Sequence, residues 1–277
     1  MTTLNRIHRK AFTLAEMSMV LVIIGLVIMI VFPALTTFRQ TMQVSATQSN
    51  LQALMRASAA FVQANGCLPC PTPAATTGAG FGRVRGDTVT SSCGTCSVAE
   101  GIVPFVSLGV PTQTAKDGWG RWITMRVDPA LTINFGVVPP TALCMAGDTT
   151  PLCVTGESRK GLCQANLPSS NRIAVATVGG GTQQAAILFL SHGANGWGAF
   201  KADPLISAGL NDHLFKGALT PCSATGGFER CNANSDLAYV EAPFSNDPAA
   251  PYDDVMVYAG RDALVTALGN PACQTTW

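Results

Sequence analysis

The sequence predicts an α+β fold: one long N-terminal helix packed on an antiparallel β-sheet head with long, cysteine-rich loops. Three observations lead there. Met17 to Leu35 is an uncharged apolar run, close to the ~20 residues that span hydrocarbon as a helix. Residues 35–64 contain neither Gly nor Pro. Residues 66–277 alternate short strand-like runs with stretches rich in Gly, Pro, Ser and Thr.

The chain is 47% hydrophobic and only 12% charged, a balance that fits one membrane segment joined to a near-neutral head. Its net charge is +1 with no basic run beyond the first ten residues, so no nucleic-acid footprint is expected. Arg6, Arg9 and Lys10 precede the apolar run and no basic cluster follows closely. That asymmetry keeps the N-terminus cytoplasmic and sends the rest outward. An ordinary signal peptide has a shorter apolar region and a small-x-small cleavage site directly after it. Here Pro33-Ala34-Leu35 leads into more helix-like sequence instead.

In that continuation apolar residues recur at Leu35, Phe38, Met42, Leu51, Leu54, Met55 and Phe61, with Gln40, Gln43, Gln48 and Gln52 for a wet face. Asn65-Gly66 supplies a stop. One helix from Phe12 to Ala64 would be ~80 Å long. Its first half, about 17–35, would sit in lipid and its second half on the head. The clearest strand-like runs in the head are Arg121–Val127, Arg172–Val178, Ala185–Leu190, Leu237–Ala242 and Val255–Ala259.

Ten cysteines, Cys67, Cys70, Cys93, Cys96, Cys144, Cys153, Cys163, Cys222, Cys231 and Cys273, all follow the apolar run. An even set on the far side of a membrane segment reads as disulfides, of connectivity the sequence leaves open. Cys67-x-x-Cys70 and Cys93-x-x-Cys96 have zinc-ribbon spacing, but an exported compartment favours disulfides over a Cys₄ zinc site. No βαβ context supports a thioredoxin-like pair.

Glu16 stands at the leading edge of the apolar run. A carboxylate within lipid costs ~2.5–3.5 kcal/mol on insertion scales, so one that is kept has a partner. Lys10-Ala11-Phe12-Thr13-Leu14-Ala15-Glu16 followed by the apolar run resembles the class III leader of type IV pilins and type II secretion pseudopilins. The resemblance implies cleavage between Ala11 and Phe12, which leaves 1–11 as leader, 12–65 as helix and 66–277 as head. It implies N-methylation of Phe12, a helix-kinking role for Pro33, and a pairing of Glu16 with an N-terminal amine of its own or a neighbouring subunit. The departure is Ala11, where the family usually has Gly. The implied partners are other pilin or pseudopilin subunits, a prepilin peptidase/N-methyltransferase and an inner-membrane assembly platform. The implied location is the bacterial inner membrane, with the head in the periplasm, then a filament or the cell surface. The implied role is structural rather than enzymatic, and the large loop-rich head suits a minor subunit.

Two head segments extend the resemblance. Asp117-Gly118-Trp119-Gly120 before a strand resembles the Asp-x-Trp-Gly motif of major pseudopilins. Ser191-His192-Gly193-Ala194-Asn195-Gly196 and Asp253-Asp254-Val255 resemble the same proteins' Gly-rich loop and acidic segment. The resemblance implies a calcium site, for which Asn195, Asp203, Asp253 and Asp254 are the candidates. The stretch from Pro204 to Pro251 separates them.

Other motifs carry less. Ser191 and His192, with Asp203 or Asp212, suggest a hydrolase, but adjacent strand residues point to opposite sides and no Gly-x-Ser-x-Gly elbow occurs. Gly179-Gly180-Gly181 lacks the Lys-Ser/Thr of a phosphate loop and reads as a turn. Trp119, Trp122 and Trp197 read as anchors of core or loops. The competing function is a membrane-anchored periplasmic enzyme or binding protein with an uncleaved N-terminal helix.

Overall fold

The computed structural model describes residues 14–65, 67–86, 93–132, 173–200, 228–233, 236–247, 250–260 and 263. Ala11, Phe12, Asp203, Cys144, Cys153, Cys163, Cys222 and Cys273 lie outside these residues.

A single helix, α1 (Leu14–Asn65), runs for 52 residues with Glu16 in its first turn and Pro33 within it. The chain divides into two compact units, Met1–Gln43 and Val44–Trp277, and α1 contributes to both. In the first unit Val20, Leu21, Val22, Ile23 and Ile24 are 46–65% exposed. Successive helical residues turn by about 100°, so five in a row cover every side of the cylinder. Phe38 and Met42 are exposed as well. Among the described residues no helix is long and apolar enough to cross a membrane. Within the apolar run the side chains at positions 30–34 lie outside the description, and Leu35 beyond them is exposed.

Within the second unit α1 becomes one-sided. Thr47, Leu51, Leu54, Ser58, Phe61 and Val62 are buried at intervals of three and four, the spacing that lines one face of a helix. The helix ends where the Asn65 side chain donates to the Phe61 carbonyl at 2.9 Å.

Among the described residues seven strands form two sheets: β1 (Glu100–Ile102), β2 (Thr124–Val127), β3 (Ile173–Thr177), β4 (Thr182–Ala185), β5 (Ile187–Ser191), β6 (Ala238–Glu241) and β7 (Val255–Ala259). The first sheet is antiparallel in the order β1-β2-β5-β7. The second has the order β4-β3-β6, with β3 and β4 antiparallel. There β3 and β6 run parallel, a departure from the purely antiparallel expectation. The long stretch of chain between them gives the crossover length that a parallel pair needs and a tight hairpin cannot supply.

The head is therefore layered as the lower part of α1, the four-stranded sheet and the three-stranded sheet. Leu51, Leu54 and Val62 share a core with Ile102, Met125, Val127, Ile187 and Phe189. Leu188 and Leu190 face the opposite way, into a second core with Ile173, Val175 and Tyr239. All of β5 is thus buried, alternate residues serving different cores as the two-residue period of a strand requires. β4 and β5 are separated by Ala186 alone, so one extended segment passes from one sheet into the other. A polar tie also joins the sheets: Tyr239 donates to Glu100 Oε2 at 2.5 Å, and Arg126 lies 3.6 Å from the same oxygen.

Cys67 bonds Cys93 and Cys70 bonds Cys96, each across 26 residues. The two CxxC segments are laced together in parallel just beyond the end of α1. Cys231 is also disulfide-bonded.

Candidate cation centre

Asp117 organises the turn before β2. Its Oδ1 accepts from the backbone N–H groups of Trp119 at 3.0 Å and Arg121 at 2.9 Å, and its Oδ2 accepts from Ser191 Oγ at 2.9 Å. Burial pushes its carboxyl above the ordinary carboxylate range, opposed by those hydrogen bonds and by the Arg121 charge. The turn is fastened to α1: Gly118 N–H donates to Thr47 Oγ1 at 2.8 Å, and Asn50 Nδ2 donates to the Lys116 carbonyl at 2.8 Å. Replacing Asp117 by Ala strips one buried and two part-buried donors of their acceptor, and a buried group left unsatisfied costs about 1–3 kcal/mol. We expect Asp117→Ala to lose about 3 kcal/mol of head stability in denaturant titration. Asp117→Asn keeps the carbonyl for Trp119 and Arg121 and lets its amide donate to Ser191, so its loss stays near 1 kcal/mol. Equal losses in the two variants would show that the hydrogen bonds are not the cause.

The Gly-rich loop after β5 is held from two directions. The Arg121 guanidinium donates to the carbonyls of Gly193 and Ala194, the latter at 2.8 Å. Asn195 N–H donates to Asp253 Oδ2 at 2.9 Å, and its side-chain amide donates to both oxygens of Glu229 at 2.9 and 2.8 Å. Gly193 has φ of +54°, and a Cβ there would overlap the Asp253 carboxyl. The close approach explains the glycine.

Glu229 belongs to the short helix α2 (Phe228–Asn232). Asn232 at its end clamps it to β6, donating to the Val240 carbonyl at 3.0 Å and accepting from Val240 N–H at 2.8 Å. Asn232 also donates to Asp254 Oδ2 at 2.7 Å. Asp253 N–H donates to Glu229 Oε1 at 2.8 Å. These contacts gather Glu229, Asp253 and Asp254 so that one oxygen from each lies within 4.8 Å of the others.

Three carboxylates in one partly buried place repel. Burial, with the neighbouring Asp253 charge, pushes Glu229 up to about 7 against the hydrogen bonds that favour its ion. Burial, with the charges of Glu229 and Asp253, raises Asp254 well above its usual range. Asp253 Oδ1 and Asp254 Oδ1 are buried with no hydrogen-bond donor. Oxygen atoms left bare in this way fit a hard divalent cation, which takes carboxylate oxygens at 2.3–2.6 Å in the case of calcium. Asp253 and Asp254 would hold it, and its charge would offset theirs.

Of the sequence candidates, then, Asp253 and Asp254 meet, and Asp203 lies outside the described residues. Asn195 reaches the cluster through its N–H groups, because its Oδ1 accepts from Trp197 N–H at 2.9 Å. Glu229 was not singled out in the sequence: it lies 34 residues beyond Asn195 in a stretch without motif spacing.

A second arrangement invites a catalytic reading. Thr124 Oγ1 and His192 Nε2 are 3.2 Å apart, and His192 Nδ1 is 3.9 Å from Asp254 Oδ1. This resembles a nucleophile–histidine–acid line. Thr124 and His192 are each 2% exposed, so the hydroxyl is buried among the described residues. Ser191, the hydroxyl beside His192, bonds Asp117 instead.

No family model, curated protein or solved structure matches the chain.

Proposed function

We propose that the chain is a structural subunit of a type IV filament, a minor pilin or a type II secretion pseudopilin, processed by prepilin peptidase and assembled through its N-terminal helix. The observation that carries this reading is the change of character along α1. In the first unit its apolar side chains are exposed on every side; in the second a single face is buried against a sheet. A helix apolar all round needs cover, from lipid or from other helices. Fully burying each Leu, Ile or Val gains about 1.5–3 kcal/mol, which makes such cover strongly favourable. Lipid covers the helix while the subunit waits in the inner membrane, and neighbouring subunits' helices cover it in the filament. The Phe12–Glu16 leader pattern supports a filament over a plain anchor. The Asp117 turn and the acidic cluster beside the Gly-rich loop support likeness to pseudopilins within the class. In this reading the protein performs no reaction.

The test is mass spectrometry of the N-terminal peptide from protein isolated in its native membranes. A chain beginning at N-methylated Phe12 is the expected result. A chain beginning at Met1 would mean an uncleaved anchor, and one beginning well beyond Pro33 a removed signal peptide. Either would overturn the filament reading.

A further inference from the structure

We propose that Cys67, Cys70, Cys93 and Cys96 form a thiol–disulfide exchange centre, opened by a partner that presents a CxxC dithiol of its own. The partner's thiolate enters at Cys93 or Cys96, and the buried segment then closes on itself as Cys67–Cys70. The lacing makes this possible. Both bridges run between the CxxC segments, so the sulfur freed by opening one belongs to a residue three positions from a sulfur of the other.

Burial decides where a thiolate can enter and which sulfur it expels. Cys67 is fully buried and Cys70 is 1% exposed, in a cluster that includes Phe61 and Val84. Cys93 and Cys96 are only half-buried, with exposed Thr95 between them. Exchange begins with attack of a thiolate on one disulfide sulfur, and access selects which. Attack on Cys93 breaks the Cys67–Cys93 bond, forms a mixed disulfide between partner and Cys93, and leaves the electron pair on Cys67. A thiolate in apolar surroundings is disfavoured. Cys67 relieves it by attacking Cys70, which forms Cys67–Cys70 and expels Cys96 as a thiolate at a wetter position. The partner's second thiolate then closes the partner's own disulfide and frees Cys93. In sum, the partner's dithiol is oxidised to a disulfide, two bridges become one, and the dithiol's two protons end on Cys93 and Cys96. Entry at Cys96 gives the same products, with Cys70 attacking Cys67.

Both segments are held while the sulfurs change partners. Leu68 N–H donates to the Leu131 carbonyl and Gly94 N–H to the Thr132 carbonyl, each at 2.9 Å. Neighbouring carbonyls thus keep the four cysteines together, and the relay gains from that proximity. What is lost is the tie between the end of α1 and residues 93–96. Exchange of this kind depends on the two bridges alone and needs no filament.

The test uses the oxidised full-length protein in detergent, with reduced glutathione standing in for the partner's thiol. Trypsin cuts after Arg56, Arg83, Arg85 and Lys116, which puts Cys67 and Cys70 in peptide 57–83 and Cys93 and Cys96 in peptide 86–116. Untreated protein should give these two peptides linked. After glutathione, iodoacetamide and digestion, mass spectrometry is expected to find 57–83 released with an internal disulfide, and 86–116 carrying alkyl groups or glutathione. Alkyl groups or glutathione on Cys67 or Cys70 would overturn the relay, as would peptides still joined by a single bridge. Bridges that resist glutathione until the chain is denatured would overturn entry at Cys93 and Cys96. In Cys70→Ala/Cys96→Ala the freed Cys67 has no second bridge to attack and returns to Cys93, so opening at the same glutathione concentration should be lost. Opening equal to that of wild type would show that the relay plays no part.

Discussion

On the proposed function, replacing Glu16 by Ala is expected to leave the head folded and the chain anchored, yet to remove it from filaments. The head's apolar cores draw on α1 from Leu51 onward, and Glu16 belongs to the other unit, so the substitution removes no residue of those cores. In the proposed membrane-held state insertion should become easier, because the variant no longer carries a carboxylate costing ~2.5–3.5 kcal/mol in lipid. What disappears is the charge that, in the proposed assembly, meets a neighbouring subunit's N-terminal amine as helices bundle. Removing one member of a buried pair costs about 3–5 kcal/mol because the other is left uncompensated. Incorporation should therefore fall by a factor on the order of a hundred or more. Membrane-bound and sheared filament fractions, probed with an antibody to the head, would measure it. Wild-type incorporation of the variant would remove the mechanistic role assigned to this residue.

Disulfide removal should show a second large effect with an unusual order. In the chain-entropy account, a bridge closing a loop of about 26 residues stabilises by roughly 3.5 kcal/mol. Once Cys67–Cys93 is closed, Cys70–Cys96 closes only the small ring made by the two CxxC segments, of roughly eight residues, and adds about 2.5 kcal/mol. Either bridge alone can thus be removed at a cost of about 2.5 kcal/mol, and loss of the remaining one then costs more than loss of the first. The double removal, near 6 kcal/mol, is comparable with the whole stability of many domains. Denaturant titration of Cys67→Ala/Cys93→Ala, Cys70→Ala/Cys96→Ala and the fourfold variant would reveal this order. Strictly additive losses would instead assign the stabilisation to local packing around each bridge.

The strands that announced themselves in the sequence were those with dense apolar or β-branched runs between turn residues. RWITMRV contains β2, RIAVATV contains β3, and the later runs contain β6, β7 and all of β5 except Ser191. β1 and β4 gave no such signal. The first is three residues with a central Gly, and the second is Thr-Gln-Gln-Ala with three exposed residues. Their extended state comes from pairing with β2 and β3, a long-range cause that local pattern does not carry. The same holds for the split into two sheets. Leu188 and Leu190 look like any other strand residues until a second core covers them.

In the candidate centre, Asp253 and Asp254 were legible because two adjacent acids before an apolar strand stand out. Glu229 was not, since its place depends on the Asn195 and Asn232 hydrogen bonds that dock α2. The disulfide pairing was equally hidden, because spacing alone allows a bridge within each CxxC as readily as between them. Asp117 was visible as part of a motif. Its work, gathering three donors into a turn that also grips α1, was not.

Because β5 is apolar on both sides, its centre is nearly indifferent to alignment: shifting Ile-Leu-Phe-Leu by one place would still set hydrocarbon against hydrocarbon. Its ends are not indifferent. Such a slip would carry Ser191 away from Asp117 and bring a leucine against a buried carboxylate, while drawing the polar residues of β4 toward the interior. The hydroxyl–carboxylate contact at one end and the glutamines at the other act as alignment pins. In this head, apolar matter supplies the cohesion, and a few polar atoms at the margins choose where the chain comes to rest.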